Sequence, residues 1–109
     1  MNQRPEDSQA LTSVFRTGLL GGGQLARMMA LAGPLSSTEV HVLSRSDQDP
    51  AALVTPRWKK GDGNRLADIE NFMSGLHALS FESEFFDMDA VEAAGRNHPQ
   101  VFVYPRPEL

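Results

Sequence analysis

The stretch Val14-Phe15-Arg16-Thr17-Gly18-Leu19-Leu20-Gly21-Gly22-Gly23-Gln24-Leu25-Ala26-Arg27-Met28-Met29 decides the fold. Val14 to Leu20 reads as a buried β-strand that ends at three consecutive glycines. From Gln24 to about Ala32 the apolar residues Leu25, Met28, Met29 and Ala32 recur at helical spacing. Glycines let the chain turn tightly and bring backbone N–H groups close to a ligand. The helix that follows adds unpaired donors and a partial positive charge at its N-terminus. Strand, turn and helix together form an anion site suited to a phosphate-bearing ligand. Gly21 to Ala26 fits the pattern G-x-G-x-x-[GA], and no Lys-Ser or Lys-Thr follows, which excludes a Walker A loop.

Outward from this unit, Gly33-Pro34 stops the helix, because proline cannot continue it. Glu39 to Leu43 is rich in β-branched residues and reads as a second strand. After the polar loop Ser44 to Pro50, Ala51 to Val54 adds a short helical turn, and Arg57 to Lys60 reads as a third strand closed by Gly61-Asp62-Gly63. Asn64 is placed to cap a helix over Leu66 to Ser74, with Leu66, Ile69, Phe72 and Met73 on one face. Leu76 to Phe81 is a fourth strand, Met88 to Ala94 a helix begun by Asp87 or Asp89, and Val101 to Tyr104 a fifth strand cut off by Pro105 and Pro107.

Strands separated by helices pair in parallel through crossovers. The predicted fold class is therefore α/β: a Rossmann-like open parallel sheet of about five strands with helices on both faces. Residues 1–13 are expected to form a flexible leader and residues 14–109 the domain. Ligands in such sheets bind outside the C-terminal strand ends, which places Gly21 to Leu25, Ser44 to Ser46 and Phe81 to Phe85 along one rim.

The 109 residues suffice for one modest core. A formal net charge of −4 argues against nucleic acid as a partner, so an anion must be captured by local geometry. There is no cysteine, which removes disulfides and thiolate metal sites. No apolar run approaches the roughly 20 residues of a membrane helix, and a cytoplasmic location with no membrane partner is the expectation. His41, His77 and His98 fall in different elements without ligand spacing, so no metal site is expected. Met28, Met29 and Met73 read as core residues. Trp58 with Lys59 and Lys60 is too little for nucleic-acid stacking, and Asp87, Asp89 and Glu92 suit a helix N-terminus better than a metal.

A dinucleotide site would carry a carboxylate at the end of the second strand, where Ser44 stands. Plain NAD is thereby disfavoured. Ser44-Arg45-Ser46 leaves NADP as an alternative cofactor, with Gly21, Gly23, Ser44 and Arg45 as its binding residues. A non-catalytic interaction domain, with a homodimer as its form, is the other alternative. Glu82 and Glu84 flank Ser83 in an extended segment, so both carboxylates project to the same side of the rim.

Gly18 to Met28 resembles the opening of the 5-(carboxyamino)imidazole ribonucleotide synthase family, ATP-grasp enzymes of purine biosynthesis. The resemblance continues through Val40-His41-Val42-Leu43 and Asp49-Pro50-Ala51-Ala52. Ser80-Phe81-Glu82-Ser83-Glu84-Phe85 is similar to that family's Thr-Tyr-Glu-Phe-Glu strand end, and Val103 to Leu109 to its entry into the central domain. Ala26 stands where the family has glycine, and Phe85-Phe86 replaces an asparagine-containing continuation. The resemblance implies a pre-ATP-grasp domain that contributes to the ribonucleotide site. Gly22, Gly23, Gln24 and Leu25 would bind the phosphate or ribose of aminoimidazole ribonucleotide, and Glu82 and Glu84 its amine or hydroxyls. It further implies that ATP and magnesium are held by later domains, so these residues alone are expected to bind a phosphorylated ribonucleotide and not to catalyse.

Overall fold

A computed structural model describes residues 14–81 and 86–104. The leader 1–13 and the pair Glu82 and Glu84 lie outside the described residues. The strands are β1 (Phe15–Leu20), β2 (Thr38–Ser44), β3 (Trp58–Lys60), β4 (Ala78–Ser80) and β5 (Phe102–Tyr104). The helices are α1 (Gln24–Ala32), α2 (Leu66–Met73) and α3 (Met88–Asn97), with a 3-10 turn over Gly33–Ser36 after α1. The strands form one sheet in the order β3-β2-β1-β4-β5, every pairing parallel, as the alternation of strands and helices predicts. Thr17 faces Val40 on β2 and Ala78 on β4, so β1 is central.

The two faces are filled differently. Leu20 and Leu43 point to the face where α2 and α3 contribute Ile69, Phe72, Met73, Val91 and Ala94. Ile69, Met73, Leu79 and Val91 are completely buried there, each such side chain stabilising the fold by about 1.5–3 kcal/mol. Gly18 permits this approach, because a Cβ on it would lie 2.4 Å from Leu76 and 2.7 Å from Phe72. On the opposite face Leu19, Val40 and Val42 pack under α1.

The α1 contact corrects a sequence expectation. Ala26 and Ala30 are the buried residues of α1. Met28 is not core but 62% exposed, and Leu25 is 53% exposed. Small side chains at the contact let the helix lie close on β1 and β2, and the long ones are displaced to its flanks.

The capping expectation for α2 is also corrected. Arg65 is the N-cap, and among the described residues no side chain caps this helix. The Asn64 carboxamide oxygen instead accepts the backbone N–H of Asp87 at 2.5 Å. Asp87 in turn caps α3, its carboxylate accepting the Asp89 N–H at 2.9 Å.

Candidate ligand site at the glycine turn

The chain leaves β1 toward β2 and β3 on one side and returns to β4 and β5 on the other, so the crevice between β1 and β4 is the topological switch point. A pocket of about 440 Å³ lies there, within the size range of small-molecule sites. Its floor is Leu19, Leu20 and Gly21 from β1 with Ser80 and Phe81 from β4. One wall is the first turn of α1, Gly23 to Ala26 with Met29, and the other is Phe86.

The three glycines have separate roles. Gly21 has φ +100°, which only glycine adopts without strain, and its N–H donates to the Leu43 carbonyl at 2.8 Å. Gly22 is buried against the far side of the turn. A Cβ on it would lie 2.8 Å from the Ser44 hydroxyl and 2.9 Å from the Asp49 Cβ. Its carbonyl accepts the Ala51 N–H at 2.9 Å. Gly23 is exposed at the N-cap of α1, and a Cβ on it would meet nothing within 4 Å among the described residues. Its φ of −76° is open to any residue, so neither conformation nor packing demands glycine there. Among the described residues no side chain caps α1, and its first turn holds no acidic residue. The N–H groups at this end are therefore presented to the pocket with the helix dipole behind them.

Of the predicted site residues, Gly21, Gly23, Gln24 and Leu25 come together on the pocket; Gly22, Ser44 and Arg45 do not line it. The Ser44 hydroxyl is buried and accepts the Trp58 indole N–H at 2.6 Å. Arg45 reaches Asp62 at 3.0 Å. Ser44 is committed within the fold, whereas the Arg45 side chain stays 73% exposed beside Asp62, away from the residues that line the pocket. The Asp49 to Ala52 segment, flagged by resemblance, acts as a brace behind the glycine turn.

Sequence reasoning did not single out Phe86 as part of the site. Its ring lies beside Gly21, where a Cβ would be 3.1 Å away, and over Gly63, where a Cβ would be 2.5 Å away. The available signals were the departure at Phe85-Phe86 and the second glycine pair, Gly61-Asp62-Gly63. Among the described residues, no group of three or more His, Asp or Glu side chains is arranged to hold a metal. No helix among them is long and apolar enough to cross a membrane.

Residues 14–109 match the sequence model of the ribonucleotide synthetase preATP-grasp domain. The chain belongs to that family. Its relatives include the N5-carboxyaminoimidazole ribonucleotide synthase of Mycobacterium tuberculosis, 35% identical over 97 residues that make up 84% of this chain and 23% of that protein. The solved structure of the Thermus thermophilus synthetase is 30% identical with a TM-score of 0.70, covering 84% of this chain and 24% of that one. The Aspergillus clavatus synthase, solved in complex with ADP and 5-aminoimidazole ribonucleotide, shares the fold at a TM-score of 0.74 and 24% identity, covering 87% of this chain and 25% of that one. The chain spans under a quarter of the length of these curated relatives. In this preATP-grasp chain the pocket lies at the switch point of a five-stranded parallel sheet.

Proposed function

We propose that this chain is the substrate-binding N-terminal domain of an ATP-grasp carboxylate–amine ligase of purine biosynthesis, and that it holds a phosphorylated ribonucleotide, 5-aminoimidazole ribonucleotide, at the glycine turn. The observation that carries this reading is Gly23: a glycine that packing against the described residues does not require, at an N-terminus of α1 that none of them caps, on the switch-point pocket. A glycine in open space lets a phosphate or ribose oxygen approach the backbone N–H groups of Gly23, Gln24 and Leu25 without meeting a side chain. Family membership supports the ribonucleotide as the anion.

In this reading the domain contributes orientation and not bond making. Glu82 and Glu84 accept hydrogen bonds from the substrate's amine or hydroxyls. ATP and magnesium are held by the remaining domains of the enzyme, where bicarbonate is activated and joined to the amine. The chain by itself binds without turnover.

The test is an amide NMR titration with 5-aminoimidazole ribonucleotide, ribose 5-phosphate and inorganic phosphate. The amides of Gly23 to Ala26 are expected to shift. Gly23→Asp supplies a capping carboxylate that satisfies the same donors and repels phosphate, so it should abolish the response. Its stability should hold or rise by about a few tenths of a kcal/mol, as expected on replacing glycine by a better N-cap. Wild-type turn amides that stay unmoved at millimolar ligand would overturn the reading.

A further inference from the structure

We propose that Phe86 is a specificity-determining residue of this pocket, and that it selects a phosphorylated sugar bearing a flat heterocycle over a bare sugar phosphate. The inference rests on the ribonucleotide reading of the glycine turn and deepens it. The pocket has two unlike ends. At one, the first turn of α1 presents backbone donors. At the other, the Phe86 ring forms an apolar wall above the floor of Leu20 and Phe81.

The ring is held from several sides. Its tip lies beside Gly21, and its edge fills the space a side chain on Gly63 would take, 2.5 Å and 3.0 Å from the Cβ position. Gly63 is buried and its φ is not in the left-handed region, so this aromatic edge is what excludes a larger residue there. The next residue is fixed as well: the Asp87 N–H donates to the Asn64 side chain, and the Asp87 carboxylate caps α3. The ring is only partly buried and lines the open pocket. A rigid aromatic surface beside an anion site matches a ligand with phosphate at one end and an aromatic ring at the other. Offset or edge contacts between such rings add to the gain from burial alone.

Titrations of the whole chain with 5-aminoimidazole ribonucleotide and with ribose 5-phosphate, followed at the Gly23 to Ala26 amides, test this. The wild type should bind the ribonucleotide more tightly, and its imidazole C–H should show an intermolecular NOE to the Phe86 ring protons. Phe86→Leu keeps apolar bulk against Gly21 and Gly63 but removes the flat face. It should narrow the preference by roughly two- to tenfold, weakening the ribonucleotide more than ribose 5-phosphate. An equal loss for both ligands would show Phe86 to be only a prop for the turn, and an unchanged preference without the NOE would overturn the proposal outright. If the wild-type amides answer neither ligand, the ribonucleotide reading fails first and this inference falls with it. If they answer both ligands equally, this inference alone fails.

Discussion

Two Gly-x-Gly turns stand at the same rim of the sheet, Gly21 to Gly23 after β1 and Gly61 to Gly63 after β3, and each leads toward a helix. In the second, both glycines are packed: Gly61 against Leu43, Gly63 against Phe86. Its donors are satisfied from within, since the Asp62 N–H meets the Asp68 carboxylate at 2.8 Å and the Asn64 N–H meets the Asp62 carboxylate at 2.8 Å. Asp68 also sits in the first turn of α2, where its charge already answers the helix dipole. In the first turn, Gly21 and Gly22 are equally committed, but Gly23 and the start of α1 are left open. Spacing alone makes both turns look like anion loops. What separates them is whether the last glycine faces a neighbour and whether the helix carries its own acid.

Substitutions in the two turns should separate a packed glycine from an open one. Gly61→Ala puts a methyl 2.6 Å from a side-chain carbon of Leu43, which is 1% exposed and cannot retreat. It should cost about 1–3 kcal/mol, or a fall in Tm on the order of 4–8 °C per kcal/mol; a melting curve within error of wild type would mean the second turn is not closed by packing. The next largest effect concerns the link from this turn to α3. Asp87→Ala removes the α3 cap and should cost about 1 kcal/mol, with larger shifts at the Asn64 and Asp89 amides than at those of Gly23 to Ala26; an unchanged melting curve would mean that Asp87 does not cap α3.

Much of this was legible in the residues. The switches between strand-like runs and helical spacing at Gly21, Gly33 and Gly63 carry the element order, and parallel pairing follows from it. The buried side of α1 was not legible, because Leu25 and Met28 outrank Ala26 and Ala30 in hydrophobicity while close helix–sheet contact favours the small pair. Asn64 looked like a cap from its local position, yet its partner Asp87 lies 23 residues on and is brought near only by the fold. Phe86 was hidden for the same reason: its meaning lies in Gly21 and Gly63, which no local pattern connects to it. Ser44 read as a rim residue because the end of β2 is at the rim, but its hydroxyl is turned to Trp58.

The smallest expected effect is a difference in acid response between the turns. The Asn64 backbone N–H holds the Asp62 carboxyl below the ordinary aspartate value of 3.8; burial opposes this in part, and the Arg45 guanidinium adds to the lowering. A folded-state pKa below the unfolded one means that the unfolded chain takes up the proton first as pH falls. The stabilisation from Asp62 is therefore fully present above pH 3.8 and is lost as pH drops through its lowered folded value. Glu39 has the same sign, held down by the His41 hydrogen bond and then by Arg57, so overall acid stability alone cannot assign the effect. Asp62→Asn can. It should flatten part of the acid limb of a pH–stability curve, and in the wild type the Asn64 amide should titrate with Asp62 while the Gly23 and Gln24 amides stay still. Titration of the Gly23 amide in step with Asp62 would place a carboxylate's influence on the open turn, and the contrast between the two turns would have to be redrawn.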